Sequence, residues 1–370
     1  MKNLHLINNE KITKDMIKLF DEAANDGDIN IYVIFDRKIN YGNDYSVYPH
    51  VLFTEDLGDL FHQYVYDNVI IHSLDIKKVS FFETHIKYKT NIIWLLWGGE
   101  IYNRPEYGYN KLYGRETLRL LLASAPLKEI SKFVLNRFRA NIGRMGKIKS
   151  FAKKVNVIGT TLHEDYLTAK KIFKIDPEFK EFNFYTLNSV GHEVEPNIMS
   201  IKPMQIILGN SGDPSNNHCE IMSLISNSTE ELSVISPLSY GQFSYISKII
   251  KKGKSILNHR FKPLTSFMDY RDYVELLHSV QVGVFGFRRQ QGLGNVVYLI
   301  YLGKTVYLDP INPMYNFFIE NGIAVRSLDS LKKRKSIFLI NEEEAKQNRI
   351  EVFNLFARER CILLTSKLFI

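Results

Sequence analysis

Short apolar runs rich in β-branched and aromatic residues recur along this chain, and helix-like stretches separate them. That alternation restricts the fold more than any other feature. Strands that are apolar at nearly every position are buried on both faces, as in a parallel sheet covered by helices. In the first half the strand candidates are Leu4–Ile7, Ile29–Phe35, Val69–His72, Val79–Phe82, Ile92–Trp97, Val155–Thr160 and Phe182–Leu187. In the second half they are Met204–Leu208, Leu232–Ser236, Val280–Phe287, Thr305–Leu308 and Ile337–Ile340. Helices between parallel strands imply right-handed crossovers and doubly wound sheets, so the expected class is α/β.

A chain of 370 residues is too long for one ordinary core. The stretch Gly191–Pro203 holds two prolines and a glycine and has no clear period, which marks a boundary. The expected division is residues 1–195, residues 196–345, and a helix over 346–370 that packs back on the first domain. The helix-like pattern there runs from Glu342 to Ser366. Two Rossmann-like domains facing each other across a cleft would bind ligands at the carboxyl ends of their strands.

Composition removes several classes. The hydrophobic fraction is 45% and the charged fraction 24%, as in a soluble globular protein. Cys219 and Cys361 form no disulfide framework and match no metal spacing, which suits a reducing compartment. The amino-terminal residues lack the apolar core of a signal peptide. The longest apolar runs fall well short of the roughly 18 residues that suggest a membrane span. The net charge of +8 is uneven, with basic residues crowded into segment 128–154 and Glu129 as its lone acid. Ile130, Phe133, Val134 and Phe138 interleave there at near-helical spacing, so the segment reads either as contact with an anionic membrane surface or as a solvated basic face. No nucleic-acid-binding signature accompanies it, and no nucleic acid partner is expected. The expected location is the cytoplasm, soluble or at most attached to a membrane surface.

Two strand–loop–helix units stand out in the second half. One is Met204–Leu208, then Gly209, Asn210, Ser211, Gly212 and Asp213, then a helix-like run from Asn216 to Ile225. The other is Val280–Phe287, then Arg288, Arg289, Gln290, Gln291, Gly292, Leu293, Gly294 and Asn295, then a helix-like run from Val296 to Leu302. Free backbone N–H groups and the helix dipole favour an anion at such a place. Arg289 adds a bidentate fork for phosphate oxygens. The first loop reads equally as a turn with a helix cap, and Asp213 fits capping better than phosphate binding. Tyr240, after the Leu232–Ser236 strand, would line a nucleotide pocket or pack in a turn. Asp309 and Asn312, after Thr305–Leu308, would bond a donor nucleotide or shape a proline-rich loop.

In the first half, Trp97-Gly98-Gly99-Glu100 follows an apolar strand. Glu100 is then a carboxylate at a carboxyl end, able to act as a general base or to sit in a helix's first turn. His72, at the end of another strand, is the second candidate base, with a structural histidine as its alternative. No metal-ligand spacing, Asp-x-Asp motif, Walker lysine, Gly-x-Ser-x-Gly elbow or Gly-x-Gly-x-x-Gly run is present, so neither metal nor cofactor is expected.

Four segments resemble those of the dTDP-N-acetylfucosamine:lipid II N-acetylfucosaminyltransferases of enterobacterial common antigen synthesis. They are Trp94 to Tyr102, Ile207 to Asn216, Pro237 to Tyr240, and Arg289 to Gly294 extending through Asn312-Pro313. Order and rough spacing agree over about residues 70–320, whereas the first 65 residues and the tail diverge. The resemblance implies a metal-independent glycosyltransferase of the two-Rossmann-domain GT-B type, with the acceptor in the first domain and the nucleotide sugar in the second. It implies transfer of a deoxyamino sugar from a dTDP-sugar to a lipid-linked saccharide at the cytoplasmic membrane surface. Diphosphate and sugar contacts would come from Gly209, Asn210, Ser211, Gly212, Arg289, Gln290, Gln291, Gly292, Gly294 and Asn295, and nucleotide contacts from Tyr240, Asp309 and Asn312. The chain departs from the pattern at Glu100, where the family has an aspartate after Trp-Gly-Ala, and at Asp309, where it has an asparagine. Alternatives are a non-catalytic nucleotide-sugar or saccharide-binding protein, a transferase using a GDP- or UDP-sugar, and a phosphoryl- or nucleotidyl-transferring enzyme.

Overall fold

The structure is a computed structural model. It describes residues 1–37, 44–104, 106–123, 143–187, 203–226, 228, 230–334 and 336–369. The chain forms two compact units: Met1–Arg104 with Lys132–Thr186 and Ala357–Ile370, and Pro105–Ser131 with Leu187–Phe356. The expected division at 195/196 lies outside the described residues.

The first unit is built on a seven-stranded parallel sheet. Its strands are β1 (Lys2–Asn8), β2 (Ile29–Phe35), β3 (Val51–Phe53), β4 (Asn68–His72), β5 (Asn91–Leu95), β6 (Val157–Thr160) and β7 (Glu178–Glu181), in the order β3-β2-β1-β4-β5-β6-β7. The chain winds outward from β1 and then in the opposite direction from β4, which places the switch point between those two strands. β4 is buried at every residue and β1 at all but its ends, because helices cover both faces. The register sets Asn30, Asn3, Asn68 and Asn91 side by side across β2, β1, β4 and β5. Their amides bond in series, Asn91 Nδ2 to Asn68 at 2.8 Å, Asn68 Nδ2 to Asn3 at 2.9 Å and Asn3 Nδ2 to Asn30 at 3.0 Å. This ladder satisfies polar groups that burial would otherwise leave unpaired.

The second unit holds β8 (Met204–Leu208), β9 (Leu232–Pro237), β10 (Phe261–Leu264), β11 (Val282–Phe285), β12 (Thr305–Leu308) and β13 (Arg326–Ser327). All pair in parallel in the order β10-β9-β8-β11-β12-β13, so β8 and β11 flank the switch point. Its core gathers β8, β9 and β11 side chains with Cys219, Ile221, Met222, Tyr245 and Ile249 from two covering helices.

Several sequence expectations need correction. Val79–Phe82 is not a strand but part of the helix Ile76–His85, which Asp75 caps by accepting from the N–H groups of Lys77 and Lys78. Phe182–Leu187 lies beyond β7 rather than forming it. Ile337–Ile340 is no strand either: side chains hold its N–H groups, Tyr307 at Phe338 and Thr305 at Ile340. β3, β10 and β13 are short and were not anticipated. The helix expected from Glu342 to Ser366 breaks at Ala357, whose ψ of 144° is not helical, into Glu342–Phe356 and Arg358–Ser366. The first piece belongs to the second unit. The second belongs to the first unit, where Arg358 forks onto Glu22 at 2.7 and 2.6 Å and Cys361 is fully buried.

Candidate functional site

In the first unit, β5 ends in the turn Leu96-Trp97-Gly98-Gly99-Glu100. Gly98 takes a φ of 93°, a left-handed conformation that a side chain would disfavour, and the short helix Gly99–Tyr102 starts there. That reversal folds Glu100 back over the strand it has just left. Its Oε1 accepts from the indole Nε1 of Trp94 at 3.1 Å and from the backbone N–H of Trp97 at 3.0 Å. Its Oε2 is buried and has no hydrogen-bond partner. Burial pushes the carboxyl pKa up, and the two N–H donors and the charge of Lys78 pull it part of the way back. Glu100 lines a cavity of about 510 Å³ together with Ser73, Asp75, Asn103, Arg104 and Arg144. One oxygen is thus fixed while the other is left without a partner, and the residue borders a space large enough for a sugar unit.

Three groups around Glu100 escaped the sequence reading. Lys78 is fully buried and donates to Asp75 Oδ2 at 2.6 Å. Glu10 follows β1, and its pKa is raised chiefly by burial and partly by the like charge of Glu100. Asp75 carried a signal, an acid just ahead of a helical period. Lys78 carried none once its neighbours were read as a strand.

His72 does not join this group. It is buried at the end of β4, where its Nε2 meets His5 Nδ1 at 3.1 Å, and it is absent from the cavity lining. Burial drives its pKa well below the usual histidine value, and that of His5 to about 3. The alternation of β4 turns its side chain toward Phe20 and His5, so the structural alternative is the one the geometry supports.

In the second unit, the loop after β8 is closed on itself. The N–H of Gly209 goes to Val284 O at 3.1 Å, that of Asn210 to Asn216 Oδ1 at 2.9 Å, and that of Gly212 to Tyr240 O at 2.7 Å. An anion cradle needs donors free, and the N–H groups of Gly209, Asn210 and Gly212 are engaged within the protein, so these three act as a brace for the loop. Asp213 caps the tight turn Pro214–Asn216, accepting from Ser215 N at 2.8 Å, and the α-helix starts only at His218. Gly212 also pairs with Gly241 in an isolated bridge; a Cβ on Gly241 would strike the Gly212 backbone, and one on Gly212 would strike the Ile246 side chain. Tyr240, half exposed, donates its hydroxyl to Asn210 O at 3.0 Å.

The brace holds the loop after β11. Gln291 bonds to both sides of the β8 loop, its Oε1 accepting from Ser215 Oγ at 2.5 Å and its Nε2 donating to Asn210 Oδ1 at 3.0 Å. Gly292, with a φ of 61°, then starts the helix Leu293–Tyr301. The first N–H groups of a helix, here those from Leu293 through Asn295, have no partner within it. Gln290 is buried at 4% exposure, and neither of its amide atoms finds a hydrogen bond. Arg289 precedes it.

Three other candidates are committed elsewhere. Asn312 donates to Phe287 O at 2.8 Å and to Arg289 O at 3.0 Å, and its Oδ1 caps the helix Pro313–Glu320. It is fully buried and shapes the loop from within. Asp309 pairs with Arg288 at 2.8 Å and accepts from Ile311 N at 3.0 Å. Asn295 donates to Tyr273 Oη at 2.8 Å. The segment 128–154 falls partly outside the described residues. Within it, residues 143–152 are helical, with Met145, Ile148 and Phe151 buried and Lys147 paired to Glu83 at 2.9 Å. Among the described residues no helix is long and apolar enough to cross a membrane, and no cluster of three His, Cys, Asp or Glu could hold a metal ion.

Residues 154–355 match the family model described as 4-alpha-L-fucosyltransferase, glycosyl transferase group 56. Among solved structures, the chain is similar to sucrose-phosphate synthase from Thermosynechococcus elongatus, with a TM-score of 0.66, 11% identity, and coverage of 100% of this chain and 98% of that one. It is similar to Anabaena HepE in complex with UDP-glucose, with a TM-score of 0.64, 11% identity, and coverage of 100% and 99%. A trehalose-6-phosphate structure from E. coli with UDP-2-fluoro glucose bound gives a TM-score of 0.59, 10% identity, and coverage of 99% and 98%. At these identities the likeness is one of fold, and the fold is the two-domain Rossmann-like GT-B type.

Proposed function

Because this chain belongs to the glycosyl transferase group 56 family, whose model covers more than half of it, and is a glycosyltransferase, we propose that it transfers a deoxyamino sugar of the N-acetylfucosamine kind. The donor is a dTDP-sugar and the acceptor a lipid-linked saccharide, met on the inner face of the cytoplasmic membrane. The resemblance of Trp94 to Tyr102 and Arg289 to Gly294 to the common-antigen transferases supports this choice of donor and acceptor.

The observation that carries the chemistry is the divided carboxylate of Glu100. In a single displacement with inversion, Oε2 takes the proton of an acceptor hydroxyl. The acceptor oxygen bonds to the anomeric carbon as that carbon's bond to the donor phosphate breaks. The nucleoside diphosphate leaves with both electrons of that bond. A carboxylate raised in pKa by burial is a better base for this step than an exposed one. The departing charge is met by Arg289 and by the N–H groups at the start of Leu293–Tyr301, which are fixed before the reaction by the Gln291 brace. The unsatisfied amide of Gln290 serves the sugar or the diphosphate, since a buried amide without partners is costly unless a ligand pairs with it.

Calorimetric titration with dTDP, UDP, GDP and CMP in the presence of a chelator tests the donor assignment. Selective dTDP binding that Arg289→Ala weakens is the expected result. Selective UDP or GDP binding would retain the reaction class and overturn the donor, and absence of binding by all four would overturn the reading of the second unit.

A further inference from the structure

The loop after β11 turns its carbonyl oxygens into the protein. Asn312 is fully buried after β12, and its Nδ2 donates to two of them, Phe287 O at 2.8 Å and Arg289 O at 3.0 Å. Asn217 Nδ2 donates to Gly286 O at 2.7 Å, and the Tyr107 hydroxyl donates to Arg288 O at 3.2 Å. Side chains thus hold every carbonyl from Gly286 to Arg289. A trans peptide unit is planar, so its N–H points away from its C=O. The bond from Asn312 to Arg289 O therefore turns the N–H of Gln290 to the side opposite Asn312. Among the described residues, the backbone N–H groups of Gln290, Gln291 and Gly292 donate to no protein acceptor. They run on into the first N–H groups of the helix Leu293–Tyr301, which lack an intrahelical partner. The loop after β8 is arranged the other way, with the N–H groups of Gly209, Asn210 and Gly212 engaged. Capping alone does not account for an asparagine at 312. Its Oδ1 accepts from Met314 N at 2.9 Å, which an aspartate or a serine oxygen would do as well. What those residues lack is an NH₂ group that can donate to both carbonyls.

We propose that Asn312 is a positioning residue for the donor diphosphate. By drawing the carbonyls of Phe287 and Arg289 inward, it sets the N–H groups from Gln290 onward as a row of donors for phosphate oxygens. Donors fixed in advance bind an anion without reorganising when it arrives. This role rests on the reading of the loop as the diphosphate site. Asn312 acts from inside the protein, through the backbone, and so differs from Gln291, whose side chain ties the loop to its neighbour.

The test is calorimetric titration of the full chain with inorganic pyrophosphate, dTDP, UDP and GDP, comparing wild type with Asn312→Asp and Asn312→Ser. Aspartate keeps the size and the cap, gives no hydrogen to the two carbonyls and sets a carboxylate against them. Its affinity for the probes that wild type binds should fall about tenfold or more, the factor that one hydrogen bond to a charged oxygen carries. Serine keeps the cap without a buried charge and has one hydrogen for two carbonyls, so it should weaken the same probes by less. If Asn312→Asp does not fold, Asn312→Ser decides. Asn68→Leu, which removes a rung of the asparagine ladder in the first unit, is the control and should lose stability while keeping wild-type affinity. A merely structural Asn312 would behave as that control does, and folded variants with wild-type affinity would overturn the inference. Failure of the underlying reading looks different: wild type binds none of the four probes, or Arg289→Ala binds them as wild type does. Either result would overturn the diphosphate site and the role of Asn312 with it.

Discussion

The indole N–H of Trp94 donates to Oε1 of Glu100 at 3.1 Å, across the turn that ends β5. The fully buried strand residue therefore sets the orientation of the carboxylate that follows it. Trp94→Phe keeps an aromatic ring in the core and deletes that donor. Hydrogen bonds to charged groups are worth about 1.5–3 kcal/mol, so turnover should fall roughly tenfold or more. The acidic limb should also rise in pH, since the carboxylate loses a stabilising donor. Steady-state kinetics across pH on Trp94→Phe checks both.

With Glu100 as the proposed base, its protonation state would set the pH dependence of the wild-type protein. Burial raises its pKa above the ordinary glutamate value of 4.5, and a base works only when ionised. Activity should therefore be full well above the raised pKa and decline as pH falls through it, with the midpoint above 4.5. A kcat/KM profile whose acidic midpoint lies at or below that value would contradict the account.

The brace in the second unit is testable through Gly212. A Cβ there would lie 2.2 Å from Cγ1 of Ile246 and 3.0 Å from the backbone oxygen of Tyr240. Overpacking of this kind costs about 1–3 kcal/mol. Gly212→Ala should lower the denaturation midpoint and weaken nucleotide binding, because the displaced loop carries Asn210 and with it Gln291. Calorimetry and a denaturant titration on the same sample measure both effects.

The asparagine ladder predicts a stability effect with no part in catalysis. Asn68→Leu removes its central rung and leaves the amides of Asn3 and Asn91 facing an apolar side chain. Each buried polar group left unsatisfied costs about 1–3 kcal/mol. Asn91→Ala, at the half-buried end of the ladder, should cost less. Urea denaturation of the two variants gives the comparison.

Much of the architecture was readable because buried parallel strands declare themselves as apolar runs. β2, β8 and β12 were expected at their observed bounds, and β11 within its expected run. Val79–Phe82 misled because Val, Ser and two Phe satisfy a strand pattern locally. Only the Asp75 cap and the burial of Lys78 show the helical period that includes them. The short edge strands β3, β10 and β13 span three, four and two residues, too short to show a strand period. At the candidate site, Glu100 and the β11 loop were legible from their position at strand ends. The commitments of Asn312, Asp309 and the Gly209–Gly212 backbone were not, because they depend on partners far away in sequence. Lys78 and Glu10 were hidden for the same reason: their charge reaches Glu100 only through the fold.

The central claim is that Glu100 removes the acceptor proton, and the most direct measurement is turnover of Glu100→Gln alongside its affinity for the donor nucleotide. The amide preserves size and can still accept from Trp94 and Trp97, but it cannot take the proton. The account predicts a fall in kcat of about 10²–10⁴-fold, the usual contribution of a general base, with nucleotide affinity unchanged. A kcat close to that of the wild type would contradict it.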